Sequence, residues 1–249
     1  CLDYALNMAV SLKDKGNNSP IIYFSPEMTK KQIEDRLISK IARVNGKFIK
    51  YPRLYFLENN EKITDENIDN FLKRIDYARE YLNGLNIIID SSEAISALDI
   101  VAKSKKIKIQ QGNIGAVFVD HVVLVKNGLS DEFKDIAETY SELRKLAKNI
   151  QVPVIILNQF LKDVKNASDY EPSIYNIRGG MSAINDSHLI LMLYRPDIYP
   201  KLIKERPDLA GVAQIICGKS RETENFNYIN MEFLGYGFRE KDTVREINV

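Results

Sequence analysis

Three polar side chains close three short apolar runs of this sequence. Asp120 ends Ile114-Gly115-Ala116-Val117-Phe118-Val119, Glu27 follows Ile21-Ile22-Tyr23-Phe24-Ser25 after one proline, and Gln159 follows Val152-Pro153-Val154-Ile155-Ile156-Leu157 after Asn158. Runs this short, β-branched and apolar read as strands buried on both faces, the middle of a parallel sheet. Such sheets bind their ligands beyond the carboxyl ends of the strands. One acid to hold Mg²⁺, a second to orient water and an amide to sense phosphate form a set suited to hydrolysis of a nucleoside triphosphate. In that chemistry positioning and charge stabilisation carry the catalysis. Each residue also has a plain structural reading: Asp120 as a turn former, Glu27 as an acid in the first turn of a helix, Gln159 as an exposed strand end.

Other chemistries find less support. The only histidines, His121 and His188, have no cysteine or second histidine at metal-binding spacing. There is no G-x-S-x-G elbow and no G-x-G-x-x-G after a strand. Cys1 and Cys217 are too few for a disulfide framework or a zinc site, which suits a reducing cytoplasm. With 45% hydrophobic and 28% charged residues the 249-residue chain is a folding one, not a disordered one. A net charge of +1 gives no global attraction to nucleic acid, so a nucleic-acid binder of this balance must gather its basic groups locally. No apolar stretch approaches the ~20 residues of a membrane span and no signal peptide is visible, so no membrane partner is expected.

The elements that must position these groups alternate between periods of two and 3.6. Helices are expected over Leu2–Leu12, after the capping box Thr29-Lys30-Lys31-Gln32 with Ile33, Leu37, Ile41 and Val44 inward, over Ile63–Leu82 with Thr64 as cap and Ile68, Phe71, Leu72 and Ile75 inward, over Ala97–Lys108 capped by Ser96, and over Asp131–Ile150 with Phe133, Ile136, Tyr140 and Leu143 inward. Asn86–Asp90 is a further strand, and its Asp90 competes with Asp120 for the same role. Lys103, Lys105, Lys106 and Lys108 read as a solvated helix face. A polar loop spans Lys162–Ile177. Strands Leu189–Tyr194, Val212–Cys217 and Tyr228–Phe233 close the chain, with Gly218-Lys219-Ser220-Arg221 between the last two; by pattern alone Lys219-Ser220-Arg221 reads as a solvated hairpin turn. The pattern implies one α/β domain over residues 1–249: a mostly parallel central sheet flanked by helices, with antiparallel strands at the C-terminal end.

The stretches IIYFSPEMTKKQIEDRL, IGAVFVDHVVLV, ELRKLAKNIQVPVIILNQF, IRGGMSAINDSHLILMLYRPD and AQIICGKSRE, in that order, resemble the C-terminal, RecA-like motor domain of DnaB-type replicative helicases. The resemblance covers about 200 residues, and five weak motifs in register make it strong. It implies a RecA-like P-loop NTPase fold and ATP-dependent DNA unwinding in replication by a ring hexamer with nucleotide sites between subunits. By matched position it implies Glu27 as the catalytic glutamate, Asp120 as the Walker B ligand of Mg²⁺ and Gln159 as the amide that senses the γ-phosphate. Lys219 and Arg221 would reach the nucleotide of a neighbouring subunit. Arg178, Gly179 and Gly180 would lie where the family contacts single-stranded DNA. ATP and Mg²⁺ are the implied cofactors. The implied partners are single-stranded DNA, further copies of the chain and, through parts outside it, primase and a helicase loader.

Several features depart from the family pattern. The phosphate loop G-x-x-x-x-G-K-[ST] is absent, although the family carries it just before a helix resembling YALNMA. Either it ends just before Cys1, or Cys1 and Leu2 replace its lysine and hydroxyl and leave a non-hydrolysing ring or scaffold component. His121 stands where the family has Tyr, Asn185 and His188 replace a Gln and an Asp, and Phe48–Asn60 is longer than the family pattern. These point to a divergent member from a phage or mobile element. A RecA-type recombinase ATPase is the remaining alternative, against which the S-x-E-M and G-K-x-R stretches argue.

Overall fold

Two of the apolar runs are buried completely. In the computed structural model, which describes residues 1–161, 171–222 and 228–240, β1 (Ile21–Phe24) and β3 (Ala116–Val119) have every residue buried. They pair in parallel, flanked by β2 (Ile87–Asp90) and β4 (Val154–Ile156), in the order β2-β1-β3-β4. β2 and β4 are only half-buried, as suits the two margins of a four-stranded sheet.

The two-residue period sends alternate side chains to opposite faces. Ile22, Phe24, Val117 and Val119 pack against Ala97 and Ile100 of α6 (Ala97–Gln111) and Leu143, Leu146 and Ile150 of α7 (Glu132–Ile150). Ile21, Tyr23, Ala116 and Phe118 pack against Leu2, Ala5, Leu6 and Ala9 of α1 (Leu2–Asp14) and Ile33 and Leu37 of α2 (Lys30–Ala42). The expected caps form. Thr29 and Gln32 close a capping box, Ser96 and Asp99 close another, Thr64 caps α5 (Asp65–Asn83), and Asp131 accepts from Phe133 and Lys134 N–H.

Residues 48–60 form most of α3 (Gly46–Lys50) and α4 (Pro52–Glu58). These build a satellite core in which Phe48 and Phe56 meet Phe71, Ile75 and Ala78 of α5. The spacing Phe71-Ile75-Ala78 defines the inner stripe, which leaves Leu72 outside it at 43% exposure. Phe133 is likewise exposed, because α7 buries the stripe through Ile136, Tyr140 and Leu143 instead.

The C-terminal strands form a second sheet, β5 (Leu189–Tyr194), β6 (Val212–Ser220), β7 (Tyr228–Phe233) and β8 (Phe238–Glu240), antiparallel throughout. Here the sequence expectation is corrected. Lys219 and Ser220 are not a hairpin turn but the end of β6, where Ile190 opposes Lys219 and Leu189 opposes Ser220. The reason is that β5 pairs with these residues, while Lys219 and the following Arg221 find carbonyl partners beside the strand. Most of the Lys162–Ile177 loop, 162–170, lies outside the described residues.

Candidate active site

Parallel pairing aligns the carboxyl ends of β1, β3 and β4: Phe24 opposes Val119, and Val119 opposes Ile156. The ladder continues one step past the strands. Asp120 N–H donates to Phe24 C=O at 2.8 Å, Leu157 N–H to Val119 C=O at 2.9 Å, and Val122 N–H to Leu157 C=O at 3.0 Å. Glu27, Asp120 and Gln159 therefore emerge along one edge, and the structure brings the three sequence-selected groups together.

Tyr23 was not a sequence candidate. Its ring is buried and stacks on Phe118 with centroids 5.8 Å apart, and its hydroxyl donates to Asp120 Oδ2 at 2.5 Å. A buried hydroxyl needs a partner, and here the partner is the Asp120 carboxylate. Burial first, then the charge and hydrogen bond of Asp120, push the Tyr23 pKa far above its usual value. Tyr23 is thus a permanent donor that fixes one carboxylate oxygen. The signal that could have found it is its place on β1 directly opposite Phe118, the residue two before Asp120.

His121 connects the other two groups. Its Nε2 lies 2.9 Å from the Gln159 side-chain nitrogen and 3.6 Å from Glu27 Oε2. Glu27 is 56% exposed in the turn between β1 and α2, which Ser25 Oγ steadies by accepting from Met28 N–H. The Asp120–His121 peptide bond is cis.

Beyond β4 the chain runs beside residues 176–178. Arg178 N–H donates to Gln159 C=O at 2.9 Å, Leu161 N–H donates to Asn176 C=O at 2.8 Å, and Phe160 bridges Ile177. Asn158 ties the corner, donating to Arg178 C=O and to the Tyr140 hydroxyl, whose pKa burial pushes up to about 12. Arg178 itself forks onto Glu132, with Nε 2.6 Å from one carboxylate oxygen and an Nη 3.3 Å from the other. Gly179 has φ +91°, and a Cβ there would stand 2.6 Å from Ile136 Cγ2, so both backbone and space call for glycine.

Lys219 and Arg221 do not join this cluster. Lys219 donates to Ile184 C=O and Arg221 to Asn185 C=O, at the end of α8 (Gly180–Asp186). Cations there answer the negative end of a helix. Desolvation and then the Arg221 charge lower the Lys219 pKa, while Asp186 acts the other way.

The edge also fits a hard cation with a triphosphate. Tyr23 occupies one oxygen of Asp120, a hard carboxylate donor at the end of β3. That donor set matches Mg²⁺, which keeps waters and phosphate oxygens as most of its ligands. Asp90, the competing acid, lines a separate concavity of about 580 Å³ between β2 and α6 with Lys103 and Lys106. Its carboxylate is held by Lys103 at 2.6 Å and by Ser92.

A family model described as DnaB-like helicase C terminal domain matches residues 2–239. The chain belongs to that family. Among its relatives is the replicative DNA helicase DnaB of Buchnera aphidicola subsp. Acyrthosiphon pisum, 32% identical over 88% of this chain and 44% of that protein. The corresponding helicase of Haemophilus influenzae is 27% identical over the same shares. The chain thus spans less than half the length of these DnaB relatives. A solved DnaB-like replicative helicase, studied with its primase interactions, superposes with a TM-score of 0.76 at 23% identity, covering 92% of this chain and 51% of that one. The RadB recombinase superposes at 0.51 with 13% identity over 96% of this chain and 84% of that one. These likenesses establish the RecA-like ATPase fold. Among the described residues no helix is long and apolar enough to cross a membrane.

Proposed function

We propose that residues 1–249 are the single motor domain of an ATP-driven DNA helicase that acts in replication as a subunit of a ring hexamer. The observation that carries this reading is the meeting of Glu27, Asp120 and Gln159 on one sheet edge, with the Arg178 loop hydrogen-bonded to Gln159. Glu27 orients the attacking water. Asp120, held by Tyr23, is the protein ligand for Mg²⁺, which supplies charge neutralisation at the phosphate oxygens when bound. Gln159 senses the γ-phosphate, and its backbone bond to Arg178 passes that state to the DNA-contacting segment Arg178-Gly179-Gly180. Lys219 and Arg221, held apart from Glu27 and Asp120 on β6 and just beyond its end, serve the nucleotide of the neighbouring subunit. Contacts with primase or a loader belong to parts outside residues 1–249.

The test is Asp120→Asn in the full-length gene product. Turnover of Mg-ATP in the presence of single-stranded DNA should fall by about 10² or more, with the unfolding midpoint unchanged. Turnover within about twofold of the parent would remove Asp120 from the site. A parent protein that binds DNA but turns over no ATP would favour the non-hydrolysing ring or scaffold component.

A further inference from the structure

His121 is a poor space filler. Its side chain is 12% exposed, and its Nδ1 is buried with no hydrogen-bond partner among the described residues. A buried polar atom left unsatisfied asks for an explanation. The explanation lies at the other ring nitrogen, which faces Gln159 at 2.9 Å and Glu27 at 3.6 Å. We propose that His121 is a positioning residue that joins the water-orienting Glu27 to the phosphate-sensing Gln159, and so closes a continuous path from Glu27 to the Arg178 loop.

The path has four members. Glu27 is 56% exposed and stands in a turn, so it needs a fixed reference. His121 supplies one, because its backbone lies two residues beyond the fully buried strand β3. Gln159 meets the ring through its side chain and Arg178 through its backbone carbonyl. Whether the Gln159 amide donates its N–H to Nε2 or, turned over, accepts from it, the pair locks the amide relative to the ring. A change at Gln159 on meeting phosphate or DNA is then felt at the glutamate through one side chain. The inference rests on the proposed ATPase and is tested as a coupling between Glu27 and the Arg178 loop.

In the full-length gene product, His121→Phe should lower kcat for ATP about tenfold to a hundredfold, the scale set by loss of precise positioning. KM for ATP should stay within about twofold, because the role proposed for the ring is to position Glu27 and Gln159, not to bind phosphate. The ratio of turnover with and without single-stranded DNA should fall towards one. His121→Gln, which keeps a polar group able to donate and accept, should recover most of the rate and of the DNA response. The double variant His121→Phe with Gln159→Ala should be no slower than Gln159→Ala alone. A role in packing alone would show the opposite pattern: His121→Phe would keep its DNA response, His121→Gln would be no better, or the two effects would multiply. Any of these overturns the inference. If Asp120→Asn abolishes turnover while His121→Phe leaves it intact, the ATPase reading stands and this inference alone falls. A parent without ATP turnover overturns both.

Discussion

The carboxylate of Asp120 is held by a hydroxyl that comes from inside the core. Tyr23 is buried, stacked on Phe118 and within 2.5 Å of Asp120 Oδ2, so it sets the rotamer of the acid before any cation arrives. Partners of this kind orient metal ligands and cost about 10- to 100-fold in affinity when removed. Tyr23→Phe should therefore raise the Mg²⁺ concentration needed for half-maximal ATP turnover about tenfold, with maximal turnover recovered at high Mg²⁺. A titration with an unchanged midpoint would show that Asp120 does not depend on Tyr23. The acids and the amide were legible in the sequence because each ends an apolar run. Tyr23 and Glu132 were not. A tyrosine inside a strand reads as core, and the ion pair of Glu132 with Arg178 spans 46 residues that no local pattern connects.

At the scale of elements, periodicity located the helices and strands, and polarity misread one of them. Gly218-Lys219-Ser220-Arg221 looks like a turn because it is polar and carries a glycine. Its cations nevertheless each donate to a carbonyl, Ile184 and Asn185, at the end of α8, and pairing with β5 keeps Lys219 and Ser220 in β6. The same distinction separates Asp90 from Asp120. Asp120 follows the buried strand β3, whereas Asp90 is the last residue of the marginal strand β2 and is tied to Lys103 and Ser92. Burial acts to raise the Asp90 pKa, and the hydrogen bonds from Lys103 and Ser92 outweigh it, so the folded value lies below the ordinary 3.8. The pair therefore contributes stability that is fully present above the unfolded carboxylate range and is lost as pH falls through the depressed folded value. Asp90→Asn should lower stability at neutral pH by about 1 kcal/mol. Urea unfolding should show that gap closing as the pH drops below 3.8, and ATP turnover should be unaffected. A gap of constant size in acid would contradict the assignment.

The whole molecule joins a parallel sheet, whose edge carries Glu27, Asp120 and Gln159, to an antiparallel sheet that carries Lys219. Family membership and the RecA-like fold were legible from five ordered motifs, since their order encodes the strand ends that meet in space. The division into two hydrogen-bonded sheets was not, because neither strand length nor polarity says that β4 and β5 belong to different sheets. The account stands on one claim, that this edge orients water for ATP hydrolysis in response to DNA. Glu27→Gln in the full-length gene product tests it most directly. The substitution removes the charge that would orient water and keeps the size of the side chain. ATP turnover stimulated by single-stranded DNA should fall by about 10² or more, while nucleotide binding and the unfolding midpoint remain those of the parent. Turnover and DNA stimulation equal to the parent's would contradict the account.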